Sequence, residues 1–523
     1  MGDEVRRDVA AVVWRCSLLA GARVSLYQIG RWRIRSIYAP VRRRTLGGLR
    51  LSFNTRRLKC ARGFASGEKR QNSNSAEGRK QTARIHRRKL LQLSGAGAVA
   101  AKAGGIASIL ATARAPAYAQ SATVHWLRWN DFVPASDALL RKEIAPEAEK
   151  ALGIKLNFET INGNDLQART TSAIQSGSGP DVICGLNNWP QVYADSVANV
   201  DDVVEEIGKA QGGFYEESKV VANNGQKWLG VPWCVLGAMI VYRKSWFAEQ
   251  GANSFPTTWE EYRAVGKKLR AADHPIGQTL GHTFGDAPTF TYPYLWSWGG
   301  KEVESDGKTV MLNSKDTVDS VKFMVDFWKE AFDDGGLAWD DTSNNRAFLS
   351  GTICATLNGA SIYLLAKSKP DTFLDEKGKP MFEDMAHSPL PKGPAGQFGY
   401  HLPMTNMLMG YSKNQKAAKD FLRWITSQDV YRRWFDSQQG YSVGATTIWE
   451  NDPLWKKDPV MLPFRAAARE GRFPGYAGPA DRKAAEGLSK YLITDMYAKA
   501  VQGAPAEDAV KWADAEYKSI HAA

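Results

Sequence analysis

Two α/β lobes that share one chain through interleaved crossings and a hinge are the fold this sequence predicts, on three observations. The chain has 523 residues, too many for a single hydrophobic core, which stops growing near ~250–300 residues. After Gln120 short apolar strands alternate with amphipathic helices, the order in which βαβ units are written. No internal repeat and no strong linker divides this body, so interleaved lobes fit better than two separately threaded beads.

Each element rests on a local pattern. Thr123–Trp129 reads as a strand, and a helix over Ser136–Leu152 sets Leu140, Ile144, Ala148 and Leu152 along one face. Ile154, Leu156 and Phe158 alternate with Lys155, Asn157 and Glu159, the period of two that marks a strand. A helix near Asp165–Gln175 leads through Ser176-Gly177-Ser178-Gly179-Pro180 into a strand at Asp181–Cys184, and this β-α-β-α-β order predicts a mostly parallel sheet. Thr258 and Glu261 have capping-box spacing ahead of a helix carrying Trp259, Tyr262 and Leu269. Val318, Val321, Val325, Trp328 and Phe332 form a helical stripe, and Ile353–Leu357 and Met407–Tyr411 read as buried strands.

The formal charge of +13 is unevenly spread: residues 1–120 hold 25 Lys and Arg against 5 Asp and Glu, while the rest hold 43 against 50. The body is therefore mildly acidic, which removes the electrostatic argument for a nucleic-acid partner. Cys16, Cys60, Cys184, Cys234 and Cys354 make no disulfide framework and no CxxC pair, so buried free thiols are expected in the body.

His86-Arg87-Arg88-Lys89 opens an Ala-, Gly- and Leu-rich run to about Ala113, closed by Ala117-Tyr118-Ala119. This is the pattern of a secretory signal at 86–119, cut after Ala119, and its paired arginines and weakly hydrophobic run resemble a twin-arginine-type signal. His86, Leu90 and Lys102 depart from that pattern, and Lys102 with the surrounding glycines argues against a permanent membrane span. The expected destination is the periplasm. Residues 1–85 are Arg-rich, acid-poor and without apolar period, and are read as a disordered extension or a mis-assigned start.

Trp228-Leu-Gly-Val-Pro-Trp233, Gly237–Tyr242 and Phe255-Pro-Thr-Thr-Trp259-Glu-Glu, together with Gly179-Pro180-Asp181, Trp296-Ser-Trp298-Gly-Gly and Phe348–Gly359, resemble extracellular solute-binding protein family 1. That family includes the maltose- and glycerol-phosphate-binding proteins. The resemblance covers residues 121–523. It implies a periplasmic-binding-protein-like fold that traps a ligand by hinge closure, with lobe 1 at 120–234 and about 390–445, and lobe 2 at about 235–389 and 446–523. It also implies a monomer that needs no cofactor or metal, a small-molecule sugar or polyol as ligand, and the membrane permease subunits of an ABC importer as partner.

Carried over by position, Asn130 and Asp131 match a contact to sugar hydroxyls, and Asn188 with Trp189 matches the contact after the Gly-Pro-Asp strand. Trp233 or Leu236 falls near the first hinge crossing, and Tyr292 and Trp296 lie where an aromatic stacks on a sugar ring. Asn358-Gly359 matches a turn normally followed by Trp; here Ala360 and Ser361 follow and the nearest aromatic is Tyr363, a departure that bears on any maltose-like preference. His401 is a candidate for the cleft wall, beside its plainer reading as a structural histidine.

The residue chemistry agrees. Sugars show apolar ring faces and a rim of hydroxyls, and call for aromatic platforms with amide and carboxylate partners. Sixteen of the eighteen tryptophans follow Gln120, several at expected strand ends, where open α/β sheets bind ligands. The competing class is a polysaccharide-active enzyme such as a glycosidase, whose two carboxylates could come from any of fifty acids. The sequence has no HExxH or Walker A signature. Sugar phosphate and polyamine are the alternative ligands. A polyamine would require several cleft carboxylates, and no such cluster is evident along the sequence.

Overall fold

The computed structural model describes residues 122–522; the arginine-rich extension, the expected export signal, Cys16 and Cys60 lie outside them. Among the described residues nine strands form two sheets: β1 Thr123–Trp129, β2 Lys155–Ile161, β3 Val182–Leu186, β4 Val231–Leu236, β5 Met239–Arg243, β6 Ala355–Asn358, β7 Met385–Ser388, β8 Leu402–Leu408 and β9 Ser442–Gly444. The first sheet runs β2-β1-β3-β8-β4-β9 and the second β6-β5-β7. Burial follows position in the sheet. β1 lies between two strands and is buried throughout from Trp126, whereas β2 at the edge fully buries only Phe158, as expected of central and edge strands.

The mostly parallel sheet expected from the first three strands is not what forms. β1 pairs in parallel with β2 and β3, but β8 is antiparallel to both β3 and β4, and β4 to β9. The second sheet is antiparallel. The right-handed crossover rule governs consecutive βαβ units. It does not govern β8 and β9, which enter the first sheet after the chain has visited the second.

Local signals account for most elements. The expected first helix is three joined pieces, Pro134–Leu139, a π-helical turn Leu140–Ile144, and Ala145–Leu152. The helix Gly163–Ser176 is capped by the Asn162 side chain, which accepts the Asn164 amide at 2.9 Å, and ends at Gly177 with φ 62°. Thr258 and Glu261 close the expected capping box on Trp259–Ala271. Along Lys315–Ala331 the buried face runs through Val321, Met324, Phe327 and Trp328, so the apolar stripe is turned slightly from the valine ladder. β8 begins at Leu402, earlier than expected, because Pro403 masks a central strand; it stands opposite Val235. Cys184, Cys234 and Cys354 are buried free thiols.

The lobes are linked by three passages of the chain. Gly237 and Ala238 carry it from β4 to β5, residues 389–401 from β7 to β8, and the segment after β9 to the C-terminal helices. There Leu492–Val501 and Ala506–Ala522 pack on Lys315–Ala331. The first two passages are tied together: the Ala238 amide donates to His401 Nδ1 at 3.0 Å. Among the described residues no helix is long and apolar enough to cross a membrane.

Candidate ligand cleft

Strand ends and crossings converge on one cavity. Trp129 ends β1, Leu236 ends β4, Asn358 ends β6, Leu402 starts β8 and Tyr441 precedes β9; all line it. It adjoins a second, reached past Asn130 and Asp131, and the two share Trp129, Phe132, Phe284 and Asp341. This is the end of the sheet at which open α/β folds bind ligands.

Aromatic rings form one corner. Phe132 meets Trp129 at 5.3 Å between centroids, and Phe284 stands edge-on to Trp129 at 5.4 Å. Phe284 comes from the second lobe and is held by the first: its carbonyl accepts from Asn187 Nδ2 at 2.9 Å, and its amide donates to Asn164 Oδ1 at 3.3 Å. Asn187 sits at φ 55° and accepts the Tyr400 hydroxyl at 2.6 Å. Gly163 opens the helix after β2, and a Cβ there would lie 2.2 Å from the Phe284 ring. Only glycine at this point lets the ring approach.

Carboxylates form the opposite wall. Asp286 opens the helix Asp286–Ser297, and its amide donates to Asp341 Oδ1 at 2.7 Å. Asp286 Oδ2 accepts from Asn344 Nδ2 at 2.6 Å and Asn358 Nδ2 at 3.2 Å. Burial, and then the charge of Asp341, push Asp286 well above the usual carboxylate range, and the two amides only partly offset this. Burial lifts Asp341 to about 6 against the amides of Asp286 and Gly285 and the Thr283 hydroxyl. Asp341 Oδ2 is buried without a hydrogen-bond partner, as is the Trp129 indole nitrogen.

Asp131 has a different role. Its Oδ1 accepts the Val133 amide at 2.9 Å, and its Oδ2 accepts Gln438 Nε2 at 2.9 Å and Ser136 Oγ at 3.1 Å. Arg128, fully buried over the rings of Trp126, Trp233 and Trp434, lies 3.7 Å away. Burial raises Asp131 to about 6 despite that guanidinium. With both oxygens engaged, Asp131 braces the turn that presents Trp129 and Phe132.

The residues singled out in the sequence thus separate. Asn130, Asp131 and Asn358 line the cavities, and Trp189 borders a side recess with Asn187 and Phe284. Asn188 is fully buried, with neither side-chain atom bonded. Trp233 packs among Trp126, Tyr431 and Trp434. Tyr292 and Trp296 lie inside the second lobe, their polar atoms meeting Tyr517 Oη at 3.2 Å and Glu302 Oε2 at 2.8 Å. Tyr363 is buried and donates to Asp458 at 2.8 Å, and His401 serves the crossing. Sequence reasoning missed Trp129, Phe132, Phe284, Asp286, Asp341 and Tyr441. Trp129 could have been found, since it ends the first strand directly before Asn130.

The family described as bacterial extracellular solute-binding protein matches residues 133–432, more than half of the chain. The chain belongs to this family. Among curated relatives, a probable ABC transporter-binding protein of Deinococcus radiodurans is 21% identical over 252 residues, 46% of this chain and 58% of its own length. The diacetylchitobiose binding protein DasA of Streptomyces coelicolor is 27% identical over 183 residues, 33% of this chain and 40% of its own. This solute-binding protein therefore spans about half the length of these relatives. The fold is that of T. maritima MalE3 solved with maltose, at TM-score 0.65 and 19% identity over 76% of this chain and all of that one. Among the described residues of this solute-binding protein, no three His, Cys, Asp or Glu side chains gather as a metal site.

Proposed function

We propose that this protein is the periplasmic substrate-binding component of an ABC importer, which takes a sugar, oligosaccharide or polyol into the interlobe cleft and hands it to the permease. The observation that carries the reading is the cavity at the strand ends, walled by both lobes and crossed by the chain at Gly237 and Ala238. Aromatic rings beside Asn358, Ser361 and the carboxylates offer apolar faces and hydrogen-bond partners together, which is what a polyhydroxylated ring needs. The relatives support it: one is named for diacetylchitobiose, and the MalE3 structure was solved with maltose. Export through the twin-arginine-type signal at 86–119 belongs to the same reading.

The protein binds and does not convert. A thermal-shift screen of sugars, oligosaccharides and polyols should find ligands that raise the melting temperature, because a solute that binds only the folded form stabilises it by RT ln(1 + [L]/Kd). Chromatography of the recovered ligand should show it unchanged after prolonged incubation. Cleavage that stops when Asp286 or Asp341 is replaced by Asn would place the protein among glycosidases.

A further inference from the structure

Among the described residues, the carboxylate wall has no counter-charge beside it. Asp286 and Asp341 share the cavity with Trp129, Phe132, Phe284 and Tyr441, and among the described residues no Lys or Arg lines either space. The nearest acid along the chain, Asp340, is paired with Arg346, and Arg128 faces Asp131. Two buried polar atoms of this lining have no hydrogen-bond partner among the described residues. Asp341, 4% exposed, has an Oδ2 without a partner, which calls for a donor. Trp129, 2% exposed, has an indole N–H without a partner, which calls for an acceptor. A buried anion is costly unless a cation or several donors meet it, and aromatic faces beside it attract a positive nitrogen further.

Building on the cleft reading above, we propose that the solute carries an amine alongside its hydroxyls, as an amino sugar or amino polyol does. Its positive nitrogen sits against Asp286 and Asp341, and a hydroxyl oxygen accepts the Trp129 indole N–H. A neutral sugar would bring hydroxyl donors to the acids but no counter-charge, and a simple polyamine would leave the indole N–H without an acceptor.

Matched solutes test this on the full chain at pH 7.5 by thermal shift and calorimetric titration: glucosamine against glucose, glucamine against glucitol, and spermidine as an amine without hydroxyls. At least one of the hydroxylated amines should bind tenfold or more tightly than its neutral partner, and Asp341→Asn should abolish the preference. Equal or tighter binding of glucose or glucitol would overturn the inference and leave the sugar reading standing. Binding of spermidine alone would overturn both the hydroxyl half and the sugar reading. A panel without any shift overturns the inference too, whereas the sugar reading falls only if the broader oligosaccharide screen is also blank. The wild-type comparison decides the matter even if the variant does not fold.

Discussion

At the scale of single residues, the cleft and the core use the same side chains for different purposes, and burial alone does not separate them. Trp296 is bonded to Glu302 and surrounded by Tyr292, Tyr400 and Tyr476, while Phe132 touches Trp129 and faces the cavity. Replacing Trp296 by Ala should therefore cost roughly 3–5 kcal/mol of unliganded stability. Phe132→Ala should leave the unliganded melt nearly unchanged and weaken ligand binding by roughly 1.5–3 kcal/mol. Denaturant melts beside calorimetric titrations separate the two; a Trp296→Ala protein of normal stability and lost affinity would reverse the assignment. Asn130 and Asn358 were legible because they stand at strand ends. Asp286 and Asp341 were not, because they meet across a sequence distance no local pattern spans. Trp296 was misleading because all twelve residues of its helix are buried, so no polar face marks which side is cleft.

At the scale of elements, strands and caps were legible and orientations were not. The capping box at Thr258 and the alternation of β2 are written in adjacent residues, whereas the direction of β8 depends on a passage through the other lobe. The bond from Ala238 to His401 makes one such passage measurable. It requires an unprotonated Nδ1, and burial lowers the His401 pKa to about 4. An unfolded histidine titrates near ~6.5, so between about 4 and 6.5 the unfolded chain binds more protons than the folded one. The contribution of His401 is then complete above about 6.5 and is lost as the pH falls through about 4. His401→Asn should accordingly be less stable than wild type at pH 7.5, with the difference shrinking toward pH 4.5. A difference that does not change across that range, read from urea melts at each pH, would show that the imidazole does not titrate as described.

At the scale of the whole molecule, the lobes meet where a ring occupies the space of an absent side chain. Gly163→Ala should favour its helix by up to ~1 kcal/mol, yet its methyl group would collide with Phe284 and hold the lobes apart. If the closed population falls to a tenth, apparent affinity falls tenfold. Small-angle X-ray scattering of the ligand-saturated variant should report a larger radius of gyration than wild type, with unliganded stability retained. Equal radii and equal affinities would mean the ring has another place to go. The strand order has a consequence for biosynthesis as well. β8 lies between β3 and β4, so the middle of the first sheet is among the last parts of it to be made. From Thr123 to Leu408 a ribosome adding ~5–20 residues per second needs roughly 15–60 s. Once made, β3 and β4 each present an unpaired edge until β8 emerges. The nascent lobe is thus a sheet with a slot in its centre, and a chaperone that covers those two edges would guard the step at which this chain is most exposed to aggregation.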